Sequence, residues 1–350
     1  MNQITDSLRR PPVLITLAAA VIALILPLFL QTYWLHVIII AYFYAILASS
    51  WALLAGYGGQ FSFGHMAFMA IGAYTSGLLT LHLDIPIVGG IILGTLAAGV
   101  AGLAIGALTL RFKAAYLALF TIAFSEILRT LIRAEAQITR GDRGLRVEPL
   151  FNSLTRIPEY YVMLAVLFAS LIFMYWLVQS RVGLFLRAVR EDEEAAAARG
   201  VDVVRYKILT FVLTSMIAGL AGTIFAHYIT IITPNIMVIP QMGLVIAMAI
   251  IGGVESLVAA AIGAVIVQIA LELLREFGAW RLVIFGALLV LTLRFARDGL
   301  LIMIFQRLFR TGPRAELRQS AEEEGIRADQ EGEDELTEME APLTSTGQES

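Results

Sequence analysis

Apolar stretches long enough to cross a lipid bilayer recur along this chain and restrict its architecture more than any other feature. A helix needs about twenty apolar residues to span the hydrocarbon core, and a helix satisfies its own backbone groups there. The mean hydropathy of +0.80 is typical of a membrane protein. The sequence therefore predicts an all-α, polytopic membrane helical bundle of about ten transmembrane segments. The predicted segments are 13–30, 33–55, 61–82, 85–110, 114–132, 160–178, 208–233, 242–253, 257–274 and 282–293.

Two of these segments bear on the number and direction of the crossings. Segment 13–30 follows Arg9 and Arg10, so we interpret it as a retained first span with a cytoplasmic N-terminus rather than a cleaved signal peptide. Residues 56–82 contain six glycines, which favours a broken or re-entrant helix over a full crossing. Eight or nine crossings are therefore alternatives to ten. With ten, the C-terminus is also cytoplasmic.

A charged segment, 181–207, interrupts the apolar pattern with six basic and five acidic residues. This charge density is costly in hydrocarbon, so the segment is predicted to lie in water at the cytoplasmic face. Glu, Ala and Arg fill 191–199 and Gly200 follows, which predicts a short surface helix that ends at Gly200. Its alanines would let a partner approach closely, while Arg187 and Arg190 would offer charge for pairing. The alternative is an ordinary loop whose charges only solvate it and set the topology.

Other segments complete the predicted organisation. Segment 133–159 would be external although it carries five arginines, so either its four acids offset them or one upstream segment does not cross. The spacings Gly90-x-x-x-Gly94 and Gly102-x-x-x-Gly106, with the small residues 218–222, predict close helix packing. Residues 1–310 form the predicted transmembrane domain. Residues 311–350, with twelve acids and three bases, form a predicted disordered cytoplasmic tail.

Four ordered segments resemble one family. Glu194-Ala195-Ala196, three residues and Gly200 resemble the Glu-Ala-Ala-x-x-x-Gly loop by which ABC importer permeases engage their ATPases. The strings GYGGQFSFGHMAFMAIGAYTSGLL, 111–145 and IGGVESL resemble segments of permeases for branched-chain amino acids, M-type subunit. The third segment departs from the family pattern because Arg140 stands where glycine is usual. That arginine either alters which solute is accepted or decorates a mobile turn.

The resemblance implies partners and site residues. The partners would be a second homologous permease, two cytoplasmic ATPases and an extracytoplasmic solute-binding protein, in the lipid of a bacterial inner membrane and without nucleic acid. The solute would be a branched-chain or other hydrophobic amino acid, with urea, short amides or aromatic acids as alternatives. The predicted ATPase-docking residues are Arg187, Arg190, Glu193, Glu194, Ala195, Ala196 and Gly200. The predicted solute-path residues are Gln60, Ser62, His65, Tyr74, Tyr116, Thr121, Glu126, Thr139 and Gly141.

No motif predicts chemistry by the chain itself. It has no phosphate-binding loop, no cysteine, no histidines at metal-ligand spacing and no hydrolase motif, so we expect a transport subunit without cofactor, whose ATP is used by partner subunits. Glu126 and Arg129 are predicted to form an ion pair within one helix, with a role in the solute path as the alternative. A stand-alone secondary transporter and an intramembrane enzyme are the rival hypotheses.

Overall fold

The computed structural model describes residues 22–110, 112, 114–153, 155–278 and 280–295. The helices are α1 (Thr32–Ala52), α2 (His65–Leu83), α3 (Ile87–Leu108), α4 (Ala114–Ala134), α5 (Ile157–Gln179), α6 (Arg181–Glu191), α7 (Glu193–Ala198), α8 (Val203–Ile229), α9 (Ile239–Gly252), α10 (Leu257–Leu273) and α11 (Trp280–Phe295). A π-helical turn, Leu53–Tyr57, extends α1. Two short antiparallel strands are β1 (Leu145–Arg146) and β2 (Ile231–Ile232).

The predicted all-helical membrane bundle is confirmed. Within the described ranges, seven helices are long and apolar enough to cross a membrane: α1 with its π turn, α2 to α5, α8 and α10. The shorter helix α9 and the segment Val283–Thr292 within α11 are also apolar. Residues 56–82, which we suspected of a broken helix, include the unbroken 19-residue α2. The first half of predicted segment 13–30, and the whole predicted tail 311–350, lie outside the described residues.

The bundle has two ends that differ in structure. The loop end holds α6 and α7, and the hairpin end holds β1 and β2. Arg190 of α6 contacts Gly56, so α1 and its π turn finish at the loop end. At the other end of α1, Tyr33 contacts Glu272 near the end of α10. Helices α1 to α5 and α8 run alternately between these two ends, and α10 again runs from the loop end to the hairpin end.

The alternation places segment 133–159 and the charged segment 181–207 at opposite ends of the bundle. Because α2 is continuous, the two segments are not brought to one end by an incomplete crossing. In the arginine-rich segment, Arg133 Nε lies 2.8 Å from the Asp142 carboxylate. This favours the first of the two alternatives, in which acids of the segment offset its arginines.

Glycines let α2, α3 and α8 pack at backbone contact distance. A Cβ atom added at Gly72 of α2 would lie 2.3 Å from the carbonyl oxygen of Gly219 in α8. One added at Gly94 of α3 would lie 2.6 Å from the Gly72 carbonyl oxygen. The close packing predicted from these small residues is confirmed. In lipid, such contact replaces the hydrophobic effect as the main source of attraction between helices.

Helix α1 is the most enclosed of the seven long helices and α4 the least. Large side chains on several sides of α1 are fully buried, including Phe43 and Trp51. Phe43 stacks on Phe225 of α8 with ring centroids 4.2 Å apart. Helix α1 is therefore the centre of the packed body, and α4 lies at its edge.

Candidate docking loop and solute path

Side-chain caps fix where the two loop-end helices begin. Ser180 Oγ accepts a hydrogen bond from the Val182 N–H at 3.2 Å, which starts α6. Asp192 Oδ1 accepts from the N–H groups of Glu194 and Ala195 at 2.9 and 3.0 Å, which starts α7. An aspartate favours the N-cap because its carboxylate satisfies otherwise free N–H groups. The predicted helix over 191–199 is therefore divided at Asp192, and only Glu193–Ala198 form α7.

The end of α7 matches the prediction that Gly200 closes it. Gly200 has φ +84, a left-handed conformation that glycine adopts without steric cost. Its N–H donates to the Ala197 carbonyl at 2.9 Å, and the Val201 N–H donates to the Ala196 carbonyl at 3.1 Å. Ala196 is buried, while Ala195 and Ala197 are exposed. Helix α7 thus presents small exposed side chains on one side and is seated on the protein by the other.

Two arginines attach α6 to the membrane helices. Arg190 Nη1 donates to the Gly56 carbonyl, and its Nη2 lies 2.7 Å from Glu255 Oε1 between α9 and α10. The Arg187 guanidinium lies 5.6 Å from the centre of the Tyr57 ring, within cation–π distance. We predicted that both arginines would offer charge to a partner, but these contacts occupy them within the chain. Their geometry makes them positioning groups for the loop.

Glu193 is held as well, whereas Glu194 is exposed. Glu193 pairs with Lys207 at the start of α8. Glu194 makes no side-chain hydrogen bond or ion pair with the described part of the chain. Of the charged residues predicted to dock an ATPase, Glu194 is thus the one whose side chain has no partner among the described residues.

Gln60, Ser62 and His65 lie at the loop end, near the start of α2. Gln60 Nε2 donates to the Lys207 carbonyl at 3.2 Å, and Ser62 Oγ accepts from the Gly64 N–H at 3.0 Å. His65 is fully buried, with Nε2 3.5 Å from Ser50 Oγ. These contacts tie the glycine-rich segment before α2 to its neighbours.

A non-helical segment enters the bundle from the hairpin end. Helix α8 ends at Ile229, β2 pairs with β1, a 3₁₀ turn follows at Pro234–Met237, and α9 begins at Ile239. The Tyr44 hydroxyl donates to Gln241 Oε1 at 2.9 Å. Tyr44 lies twelve residues after Thr32, or about 18 Å along α1 at 1.5 Å per residue. The start of α9 is therefore near the middle of the bundle.

Such a segment has a recognised meaning at membrane depth. Irregular backbone is tolerated there only where it is buried in protein or lines a water-filled path. This segment was not predicted from the sequence, because segments 208–233 and 242–253 were predicted as two complete crossings. Pro234 and Pro240, which restrict helix formation at the preceding residue, were the available signal.

Three predicted path residues meet around this non-helical segment. The Tyr74 hydroxyl lies 3.4 Å from the Ile232 carbonyl oxygen. Thr139 Oγ1 donates to the Ile132 carbonyl and accepts from the Gly141 N–H, closing the loop after α4. The structure thus brings Tyr74, Thr139 and Gly141 to the same half of the bundle.

The remaining predicted path residues lie on α4 and face different ways. Thr121 is buried and its Oγ1 accepts from the Phe63 N–H at 2.9 Å. Tyr116 is 65% exposed on another side of the helix. Glu126 forms the predicted ion pair with Arg129, with Oε2 and Nη2 2.6 Å apart. Arg133, not predicted as a path residue, hydrogen-bonds Asn235 of the 3₁₀ turn at 3.3 Å.

These features define a class of protein. Several helices cross the membrane, a non-helical segment enters from one end and reaches mid-depth before α9, and a capped, charged loop lies at the other end. This is the construction of a multi-pass membrane permease.

Comparison with known proteins identifies the family. The family described as branched-chain amino acid transport system / permease component matches residues 33–293. LivM, the high-affinity branched-chain amino acid transport system permease protein of Salmonella typhimurium, is 29% identical over 83% of this chain and 75% of its own length. The LivM protein of Escherichia coli is 28% identical over the same shares. The L-arabinose ABC transporter permease protein AraH of Azospirillum brasilense is 30% identical over 59% of this chain and 63% of its own length.

No solved structure matches the chain. The family match covers most of the sequence, so the chain belongs to the branched-chain amino acid ABC transporter permease family, and its similarity to LivM proteins makes it an M-type member.

Proposed function

We propose that this chain is the permease subunit of an ATP-driven importer for branched-chain or other hydrophobic amino acids, forming part of the solute path and coupling to ATPase subunits through α6 and α7. The observation that carries the proposal is the exposed surface formed by α6 and α7. Helix α7 exposes Ala195 and Ala197 beside the free side chain of Glu194, and α6 is anchored at Arg190. A surface of small side chains, beside a helix anchored to the bundle, suits a partner that approaches closely and exerts force on the bundle.

A continuous series of contacts supports coupling from the loop end to the non-helical segment. Arg190 joins α6 to Glu255, which lies directly after α9. Helix α9 then runs from the loop end to mid-depth, where it meets the 3₁₀ turn that contains Asn235. A displacement of α6 by a partner would therefore be transmitted along a single helix to the wall of the solute path. Nucleotide binding would shift the population of bundle states through this connection.

The proposed assembly contains a second homologous permease, two ATPase subunits and a solute-binding protein. The loop end would face the cytoplasm and the hairpin end the outside of a bacterial inner membrane, with both termini cytoplasmic. Under this orientation the charged segment 181–207 meets the ATPases, and the solute-binding protein approaches β1 and β2. The names of the LivM relatives support an amino-acid solute.

A second candidate is an importer of the same construction for another solute. The AraH relative is named for L-arabinose, so sequences similar to this one serve permeases for unlike solutes. Urea, short amides and aromatic acids are the alternatives that the sequence resemblance suggests.

The test is purification of the tagged chain from mild detergent after co-expression with its genomic neighbours, with 193–200 either native or scrambled. We expect ATPases and a second permease to copurify with the native chain, and the ATPases to be lost on scrambling. A chain that purifies alone and transports solute without ATP would overturn the proposal in favour of a secondary transporter.

A further inference from the structure

Helix α4 has three sides of different chemistry. The side that packs on the bundle carries Leu117, Thr121, Ser125 and Ile132, all buried. A second side is large and apolar, with Tyr116, Ile127 and Leu131 exposed by 65%, 68% and 56%. The third side is apolar in its first half and charged in its second. It carries Ala118, Ile122, Glu126, Arg129 and Arg133 at spacings of three or four residues, which places them in one row along the helix.

This mixed row is only partly covered by the rest of the chain. The side chains of Glu126 and Arg129 are 34% and 20% exposed. Glu126 lies twelve residues after Ala114 and eight before Ala134, so it is about 12 Å inside the hairpin-end terminus of α4. Charges at such depth in a membrane helix face protein or water rather than lipid. The apolar side with Ile127 suits lipid, so the charged side is the one that can face water or another protein.

We propose that Glu126 and Arg129 bind the charged groups of an α-amino acid as it passes, Glu126 the ammonium and Arg129 the carboxylate. This inference rests on the proposed function and deepens it, because it selects zwitterionic amino acids over the uncharged solutes. A guanidinium matches the geometry of a carboxylate, and a carboxylate accepts the hydrogen bonds of an ammonium. The solute would replace the ion pair within α4 by two new pairs, so neither side chain is left without a partner.

Neighbouring groups make this position reachable from the hairpin end and give it an apolar flank. Arg133 lies two turns beyond Glu126 and contacts both Asp142 and Asn235. The solute would therefore meet alternating charges before it reaches the pair. On the other side of the pair, Ile122 and Ala118 are half-buried and apolar, so they offer a surface on which the hydrocarbon side chain of the solute can pack.

The experiment is equilibrium binding of radiolabelled leucine to the purified importer complex in lipid nanodiscs, without the solute-binding protein. Unlabelled leucine, leucinamide and N-acetylleucine compete; leucinamide lacks the carboxylate and N-acetylleucine lacks the ammonium. We expect the native complex to prefer leucine to either analogue by about 10- to 100-fold, the cost of one lost charge-assisted hydrogen bond. Arg129→Gln should remove only the discrimination against leucinamide, and Glu126→Gln only that against N-acetylleucine.

Two further variants separate recognition from a structural role. Ile127→Ala, on the apolar side of the same turn, should leave all three affinities unchanged. The double variant Glu126→Arg with Arg129→Glu keeps an ion pair in α4 but exchanges its charges, and it should lose leucine binding. Two results would overturn the inference: native leucine affinity in the exchanged variant, or equal loss of affinity for all three ligands in the single variants. Either would indicate that the pair stabilises α4 or contacts the second permease.

Absence of leucine binding by the native complex would also overturn the inference. The copurification test of the proposed function does not depend on that result, because it measures contact between α7 and the ATPases. Failure of the solute assignment and failure of the importer assignment are therefore distinguishable.

Discussion

Replacing Arg190 by glutamine should detach the proposed docking loop, 181–207, from the membrane helices without unfolding the loop or the helices. The change removes the charge-assisted bond to the Gly56 carbonyl and the 2.7 Å pair with Glu255. The first is worth about 1.5–3 kcal/mol. The second is worth at most about 1 kcal/mol, because Glu255 is 63% exposed and its charge is screened by water. The loop still buries Leu186, so α6 should stay helical.

The two losses together, about 1.5–4 kcal/mol, lower the equilibrium constant between the seated and the unseated loop by roughly 10- to 1,000-fold. If the ATPases bind only the seated loop, their affinity for the permease should fall in proportion to the seated fraction, by at most this factor. Titration of purified ATPase onto the permease in nanodiscs measures this affinity, and uptake into proteoliposomes measures its consequence. Glu255→Gln should weaken binding by no more than about fivefold, because that partner is mostly solvated.

The matched control is Arg181→Gln, at the start of the same helix. Arg181 is exposed, and its side chain makes no hydrogen bond or ion pair with the described residues. Its loss changes the charge of the loop by the same amount and should leave affinity and uptake near native values. Native affinity in the Arg190→Gln protein would refute the reasoning, since the loop would then be seated by other contacts. An equal loss of ATPase affinity in the Arg190→Gln and Arg181→Gln proteins would indicate that the charge of the loop alone causes the effect.

Three other predictions concern the packed body and its two ends. Gly200→Asp should abolish uptake, because it adds a charged side chain at the end of α7 and strains the left-handed φ there. Insertion should stay intact, because nothing lies within 4 Å of an added Cβ. Uptake and protease mapping of the inserted protein test this. Gly72→Ala should destabilise the protein by about 1–3 kcal/mol, because the added methyl group would collide with Gly219. Gly243→Ala has open space around the added Cβ and should stabilise the protein by up to about 1 kcal/mol. Thermal unfolding in detergent compares the two variants, and equal melting temperatures would contradict the packing argument. His227→Ala should remove the hydrogen bonds to Ser76 and to the Glu148 carbonyl. Amide hydrogen exchange in the loop before α5 should then become faster. Unchanged exchange would show that His227 does not hold this loop.

Local interactions explain which parts of the docking loop were predictable from sequence. Helix formers followed by Gly200 predicted the end of α7, because a left-handed glycine cap depends only on its neighbours in the chain. The division at Asp192 is equally local, but a run of charged residues conceals one capping aspartate among several acids. The roles of Arg187 and Arg190 were not predictable, because Tyr57, Gly56 and Glu255 are distant in sequence.

The predicted solute-path residues also divide into those whose position could be predicted and those whose position could not. Tyr74, Thr139 and Gly141 were selected from motifs, and the fold brings them to one half of the bundle. Gln60 and Ser62 came from an equally specific motif, yet the fold places them at the loop end. The non-helical segment before α9 was missed because an apolar run has the same composition whether it crosses the bilayer as one helix or as a non-helical segment followed by a short helix.

By itself the sequence determined the class of protein, the alternation of long apolar segments, the charged loop and its glycine cap. These depend on residue-by-residue transfer between water and lipid and on hydrogen bonds within a few positions of the chain. Only the tertiary structure decided that Arg190 fastens the loop to Gly56, that the chain enters the bundle as a non-helical segment before α9, and that the side of α4 with Glu126 and Arg129 is only partly covered. Those facts depend on which helices lie beside one another, and that is settled by packing among small residues such as Gly72 and Gly219 over the whole bundle.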